Sequence, residues 1–129
     1  MRVLLSGYNG TMGQVLKNYI QDSTDLEIVA GVGRELLEEK FSTYTSYESL
    51  EKVADVIIDF SHHAGTASLV EYAKRTATKV VIATTGHTTE ELELIDELAT
   101  QVGVVYAGNY SLGVNVLVEL VKKASELLL

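Results

Sequence analysis

Cysteine is absent from the 129 residues, which excludes thiol nucleophiles, disulfide bonds and cysteine-based zinc sites. Small secreted domains commonly carry disulfides, so a cytoplasmic address is expected. Basic residues are scarce: 10 Lys and Arg stand against 18 Asp and Glu, a net charge of −8. No positive excess is left to neutralise a nucleic-acid backbone or an anionic membrane surface. No apolar run approaches the ~18 residues that span a bilayer, and Met1-Arg2 leads directly into Val3-Leu4-Leu5, without the apolar region and cleavage site of a signal peptide. Proline is missing as well, where average usage of ~5% predicts about six. That absence points to deliberate proline removal or design.

What is present suffices for one core. Hydrophobic residues make up 47% of the chain, and a chain this long buries roughly two thirds of the surface its unfolded form exposes. One domain over residues 1–129 is expected, since neither a linker, a repeat nor a low-complexity tract interrupts it. An apolar run at residues 3–6 stops at Gly7-Tyr8-Asn9-Gly10, after which Met12, Val15, Leu16, Tyr19 and Ile20 recur at helical spacing. Residues 28–32 read as a second strand, followed by a polar surface excursion over 33–45. Ser46 is expected to cap a short helix through Lys52. The run Asp55-Val56-Ile57-Ile58-Asp59-Phe60 is β-branched, as in strands buried on both faces of a parallel sheet.

A helix over about 65–75, a strand at 80–83 and a helix opened by Thr88 with Glu91 three residues on, a capping box, continue the alternation. A fifth strand at 104–106 and a final helix striped by Leu117, Leu120, Val121, Ala124 and Leu128 complete it. Strands alternating with helices predict an α/β fold, a doubly wound, mostly parallel sheet with helices on both faces. The terminal Leu127-Leu128-Leu129 has neither glycine nor a basic last turn. It is therefore read as a cut edge, with self-association through the C-terminal helix as the expected consequence.

In such sheets ligands bind beyond the carboxyl ends of the strands. Gly7, Gly10 and Gly13, spaced G-x-x-G-x-x-G between strand and helix, allow close backbone approach where the helix dipole favours an anion such as a pyrophosphate. The more usual spacing is G-x-G-x-x-G, and no Gly-Lys-Ser/Thr follows, so the turn is a variant of the dinucleotide fingerprint and not a P-loop. The alternative is that the glycines serve only a sharp turn and tight helix packing. About 20 residues on, where an acid often reads the ribose, stands Val32-Gly33-Arg34-Glu35. Arg34 could pair with a 2′-phosphate, which favours NADPH over NADH. His62-His63 would tempt a metal assignment, but with no cysteine and His87 in another loop, a loop or helix-cap role is expected and no metal.

Taken in order, Gly7-Tyr8-Asn9-Gly10-Thr11-Met12-Gly13, Asp59-Phe60-Ser61, Ala83-Thr84-Thr85-Gly86 and Asn109-Tyr110-Ser111-Leu112-Gly113-Val114-Asn115 resemble the 4-hydroxy-tetrahydrodipicolinate (dihydrodipicolinate) reductase family over the whole chain. The resemblance implies a Rossmann-like N-terminal domain that binds NADPH or NADH, in an oxidoreductase of the diaminopimelate route to lysine. It implies that Gly7, Tyr8, Asn9, Gly10, Thr11, Met12 and Gly13 meet the cofactor phosphates, and Arg34 the adenosine ribose. Phe60, Ser61, Thr84, Thr85 and Gly86 would lie beside the nicotinamide and its ribose, with Asn109, Tyr110 and Ser111 closing the site. Many members carry Lys or Arg at the position of Thr11 and an acid at that of Gly33. The family's substrate domain, with a His-His pair followed by Lys and a Ser-Gly-Thr segment, has no counterpart here. No residue is therefore assigned a catalytic role, and cofactor binding without turnover is expected. Two other readings stand beside this one: a designed or minimised fold without a ligand, and a receiver-type phosphoacceptor domain with Asp59 at the end of its third strand.

Overall fold

The computed structural model describes residues 1–106; the expected final helix and Asn109, Tyr110 and Ser111 lie outside the described residues. In chain order the elements are β1 (Arg2–Ser6), α1 (Thr11–Gln21), β2 (Glu27–Val32), β3 (Ser42–Tyr44), β4 (Val56–Asp59), a 3-10 turn (His63–Gly65), α2 (Thr66–Thr76), β5 (Lys79–Ile82), α3 (Thr89–Leu98) and β6 (Val104–Tyr106). The strands form one sheet in the order β3-β2-β1-β4-β5-β6, and every neighbouring pair is parallel. This is the strand order of a Rossmann fold. The chain winds outward from β1 through β2 to β3, then returns to lay β4 on the other side of β1, which puts a topological switch point at the ends of β1 and β4.

Period-two alternation divides the strand residues between two cores. Val3, Leu5, Val56, Ile58 and Val81 face α1, whose Leu16 and Ile20 are buried with them. Leu4, Ala30, Ile57, Val80 and Ile82 face the other way, onto Leu69, Val70 and Ala73 of α2 and Ile95 and Leu98 of α3. Helices thus cover both faces, which is what lets β4 be buried along its whole length. The capping box of α3 forms as expected: Glu91 N–H donates to Thr88 Oγ1 (3.2 Å), and Thr88 N–H donates to Glu91 Oε1 (2.7 Å).

Two expectations are corrected. The excursion after β2 contains a strand, β3, whose Ser42, Thr43 and Tyr44 pair with Ala30, Gly31 and Val32. Three residues at a sheet edge carry too little pattern to be seen in sequence, and the ladder to β2 supplies the order. The helix expected at 46–52 is a turn. The Ser46 hydroxyl accepts from the Glu48 N–H (3.2 Å), the Leu50 N–H donates to the Tyr47 carbonyl (3.2 Å), and Ser49 sits at φ 64. A left-handed residue breaks a right-handed helix. Burial of Tyr47 and Leu50 against α2, with Tyr47 stacked on Tyr72 at 4.8 Å, outweighs the local propensity.

Candidate functional site

The turn after β1 is held from three sides. Gly7 N–H donates to the Val32 carbonyl at the end of β2 (2.7 Å), Gly10 N–H donates to Gly7 O (3.1 Å), and Phe60 N–H beyond β4 donates to Ser6 O (2.8 Å). Gly7 has φ +84, and a side chain on it would stand 2.6 Å from the Phe60 carbonyl carbon. One on Gly13 would fall onto the Gly7 carbonyl oxygen and 2.9 Å from Tyr8 Cα. These two glycines serve the fold itself. Gly10 differs: its backbone is ordinary (φ −80, ψ 169), and the nearest atom to an added Cβ is Gly7 O at 3.5 Å. The fold makes no demand for glycine there, whereas a ligand approaching the backbone would. Gly10 is the N-cap of α1, whose first-turn N–H groups have no intrahelical acceptor.

A cleft of about 1010 Å³ opens above this turn, lined by Gly7, Asn9, Gly10, Gly33 and Arg34 on one side and Phe60, Ser61 and His62 on the other. A smaller hollow of about 370 Å³ adjoins it through the shared Phe60, Ser61 and His62, and brings in Met12, His63, Thr84 and Thr85. Of the residues expected from the first four loops, Gly7, Asn9, Gly10, Met12, Arg34, Phe60, Ser61, Thr84 and Thr85 line these two hollows at the switch point. Tyr8, Thr11, Gly13 and Gly86 line neither hollow. Tyr8 is fully buried, so its side chain does not face phosphates at the surface of the turn; Thr11 is exposed on the first turn of α1.

Asp59 and Thr84 form the floor. The Asp59 carboxylate is 1% exposed; Oδ1 accepts from Ser61 N–H (3.0 Å) and Ser61 Oγ (2.6 Å), and Oδ2 accepts from Thr84 Oγ1 (3.1 Å). Thr84 Oγ1 also lies 2.9 Å from Ser61 O. A buried acid whose oxygens are bonded in this way is a brace that ties the β4 and β5 loops together. It is poorly placed to attack a phosphodonor, which disfavours the receiver reading.

The histidines divide their roles. His62 Nδ1 accepts from Ala64 N–H (3.1 Å) and caps the 3-10 turn, the helix-cap role expected of the pair. The rings of His62 and His63 are nonetheless neighbours, with centroids 4.3 Å apart. His63 Nδ1 is 2.8 Å from Glu91 Oε1, and His87 Nδ1 is 3.0 Å from Tyr106 Oη. Burial pushes the His87 pKa below its ordinary value. Bonds from the Thr88 N–H and from His63 hold the Glu91 carboxyl below the usual range. Among the described residues no three His, Asp or Glu side chains are grouped to hold a metal ion.

Sequence reasoning passed over one wall of the cleft. Ser68, Glu71, Tyr72 and Arg75 of α2 line it, opposite residues 45–49. The i, i+3, i+7 spacing of Ser68, Glu71 and Arg75 places them on one helical face, a signal the sequence did carry. Arg75 is fixed by a bond to Tyr47 O (3.1 Å) and lies 5.3 Å over the Tyr72 ring.

Strand order, switch point and glycine turn at a helix N-terminus together define a Rossmann-type dinucleotide-binding domain. Comparison with known proteins narrows the class: residues 1–110 match the family described as dihydrodipicolinate reductase, N-terminus, and the chain belongs to that family as its NAD(P)H-binding N-terminal domain. A 4-hydroxy-tetrahydrodipicolinate reductase of Caldanaerobacter subterraneus is 38% identical over 99% of this chain and 51% of its own length. One from Zymomonas mobilis is 37% identical over 97% of the chain and 48% of its own length. The chain therefore spans about half the length of the curated relatives it matches. Among solved structures, a dipicolinate-bound dihydrodipicolinate reductase from Paenisporosarcina superposes with a TM-score of 0.70 at 21% identity, covering 84% of this chain and 47% of that one. A myo-inositol 2-dehydrogenase from Lactobacillus plantarum gives 0.65 at 15% identity, covering 82% and 35%; at these identities the likeness is one of fold.

Proposed function

We propose that the cleft holds NADPH or NADH with its pyrophosphate over Gly10, and that the chain is the hydride-donor half of a 4-hydroxy-tetrahydrodipicolinate reductase. The observation that carries this reading is Gly10, a glycine the fold does not need, standing where a helix N-terminus meets the switch point. When bound, the cofactor supplies a hydride. The chain's own residues bind and orient. First-turn N–H groups of α1 at Thr11, Met12 and Gly13, with the backbone of Tyr8 and Asn9, offer donors to the phosphates; the Gly7 N–H is spent on the Val32 carbonyl, so Gly7 shapes the turn beneath them. Arg34 pairs with the adenosine 2′ side. Phe60 and Ser61, with Thr84, Thr85 and Gly86, flank the nicotinamide and its ribose, held in register by Asp59. Asn109, Tyr110 and Ser111 close the site in this reading.

In this reading the substrate's carboxylates and the protonation step fall to groups beyond the described cofactor loops. The loops after β4 and β5, residues 60–65 and 83–88, hold no lysine or arginine, and hydride transfer needs its acceptor held at roughly 3–3.5 Å. Self-association through the helix expected at the C-terminal end and a cytoplasmic address belong to the same reading. Calorimetric titration with NADPH and NADH tests its core: saturable binding is expected, weakened at least tenfold by Gly10→Val. Equal affinity in the wild type and the variant would reject the site. Sedimentation at rising concentration tests the association.

A further inference from the structure

Tyr8 lies in the glycine turn, yet its phenol works in a different loop. The ring is fully buried. Its hydroxyl donates to the Glu35 carbonyl (2.7 Å) and accepts from the Leu37 N–H (2.9 Å), so both a donor and an acceptor are spent on the backbone of the segment that follows β2. The ring is pressed against Gly31 and Gly33, where an added Cβ would stand 2.8 and 3.0 Å from its carbons. Phe41 meets it edge-on with centroids 5.7 Å apart. The Asn9 amide fills the space a side chain at residue 33 would need.

Arg34 sits between these anchors. On one side Gly33 is backed by Asn9 and Tyr8, and its N–H donates to Tyr44 O (3.0 Å). On the other, the Glu35 carbonyl is bound by the phenol. Further along, Glu39 is held by Gln14 Nε2 (3.1 Å) and Lys17 Nζ (3.0 Å), and the same Gln14 Nε2 donates to the Tyr8 carbonyl (2.8 Å). The Arg34 side chain is exposed toward the cleft, so its aim is set by the backbone beneath it. A long cation on a fixed backbone loses less freedom on meeting an anion than one on a loose loop.

We propose that Tyr8 is the positioning residue for 2′-phosphate selectivity: its hydroxyl fixes the backbone around Arg34, so that the phosphate-binding turn and the ribose-reading loop act as one rigid unit. This rests on the dinucleotide reading above. It assigns Tyr8 a role that its place in the glycine motif does not imply, acting through Arg34 on one end of the ligand and not on the pyrophosphate. Tyr8→Phe removes both hydrogen bonds and keeps the ring in its slot.

The test is a cycle of four proteins, wild type, Tyr8→Phe, Arg34→Ala and the double variant, each titrated with NADPH and NADH. The ratio of NADPH to NADH affinity is expected to fall roughly threefold to tenfold in Tyr8→Phe, of the order that loss of one or two neutral hydrogen bonds allows. The double variant should show a ratio no lower than Arg34→Ala alone. Amide exchange at Leu37 should quicken in Tyr8→Phe, which checks the loop independently of any ligand. A ratio lowered by Arg34→Ala but unmoved by Tyr8→Phe, or equal losses for both dinucleotides in Tyr8→Phe, would overturn the positioning role and leave the cofactor site standing. A ratio unchanged by Arg34→Ala would overturn the Arg34 assignment and this inference with it, and no binding of either dinucleotide by the wild type would overturn the underlying reading as well.

Discussion

Gly10 and Gly13 sit three residues apart in one motif, and the structure predicts opposite consequences for filling them. A Cβ on Gly13 falls onto the Gly7 carbonyl oxygen and 2.9 Å from Tyr8 Cα, well inside the ~3.5–4.0 Å of comfortable carbon contacts. Both obstacles are backbone, so no rotamer change relieves them. Overpacking of this kind costs about 1–3 kcal/mol, and the better helix propensity of alanine returns only ~1 kcal/mol. Gly13→Ala should therefore lower stability by a net amount of up to about 2 kcal/mol, roughly 4–10 °C in Tm for a domain of this size. Gly10 has ordinary dihedrals and open space beyond 3.5 Å. Gly10→Val there costs the weaker capping of a β-branched residue, about 1 kcal/mol or less. Its effect should appear instead in cofactor binding, with at least a tenfold loss, ~1.4 kcal/mol. Urea denaturation and calorimetric titration on the same samples separate the two. A stable Gly13→Ala, or a Gly10→Val that binds like the wild type, would refute the division of labour between fold and ligand.

Arg34→Ala should weaken NADPH more than NADH and flatten the salt dependence of NADPH binding, measured by titration at two ionic strengths. Asp59→Ala, which takes the buried acceptor from the Ser61 N–H and hydroxyl and leaves Thr84 Oγ1 only the Ser61 and Asp59 carbonyls, should cost about 1–3 kcal/mol in denaturation and loosen cofactor binding; labelling of the wild type at Asp59 by a small phosphodonor should not occur. Glu91 and Glu39 have folded pKa values below their ordinary 4.5, so each adds stability that is present above that value and lost as pH falls through the folded pKa. The urea midpoint should accordingly drop as pH is lowered below ~4.5, and drop less steeply in Glu91→Gln. On the proposed reading, the chain saturated with NADPH should not reduce 4-hydroxy-tetrahydrodipicolinate, because the described loops after β4 and β5 position no lysine or arginine for its carboxylates and lack of a positioned acid alone typically costs 10²- to 10⁴-fold in rate; cofactor-dependent turnover abolished by Gly10→Val would show otherwise.

Through residue 106 most of the element order was legible because the elements carry local signals: Val56, Ile57 and Ile58 form a continuous β-branched run buried on both faces, and the Thr88 and Glu91 capping box closes as written. The candidate loops were legible because a parallel sheet places the ends of its strands at one edge whatever the side chains do. The short strand at Ser42–Tyr44 and the turn at Tyr47 and Ser49 were not, since neither follows from local preference. A three-residue edge strand exists through its ladder to β2, and Tyr47 takes its place because Tyr72, nearly seven helical turns' worth of sequence away, is there to stack on. Roles inside the motif were hidden for the same reason. The chain by itself specified a glycine turn between a strand and a helix, and so a place for an anion. Only tertiary contact separated its members: Gly7 and Gly13 meet backbone, Gly10 meets open space, Tyr8 turns inward to hold the loop beneath Arg34, and Asp59 is a brace, because what a residue does at such a site depends on which distant atoms lie within a few ångströms of it.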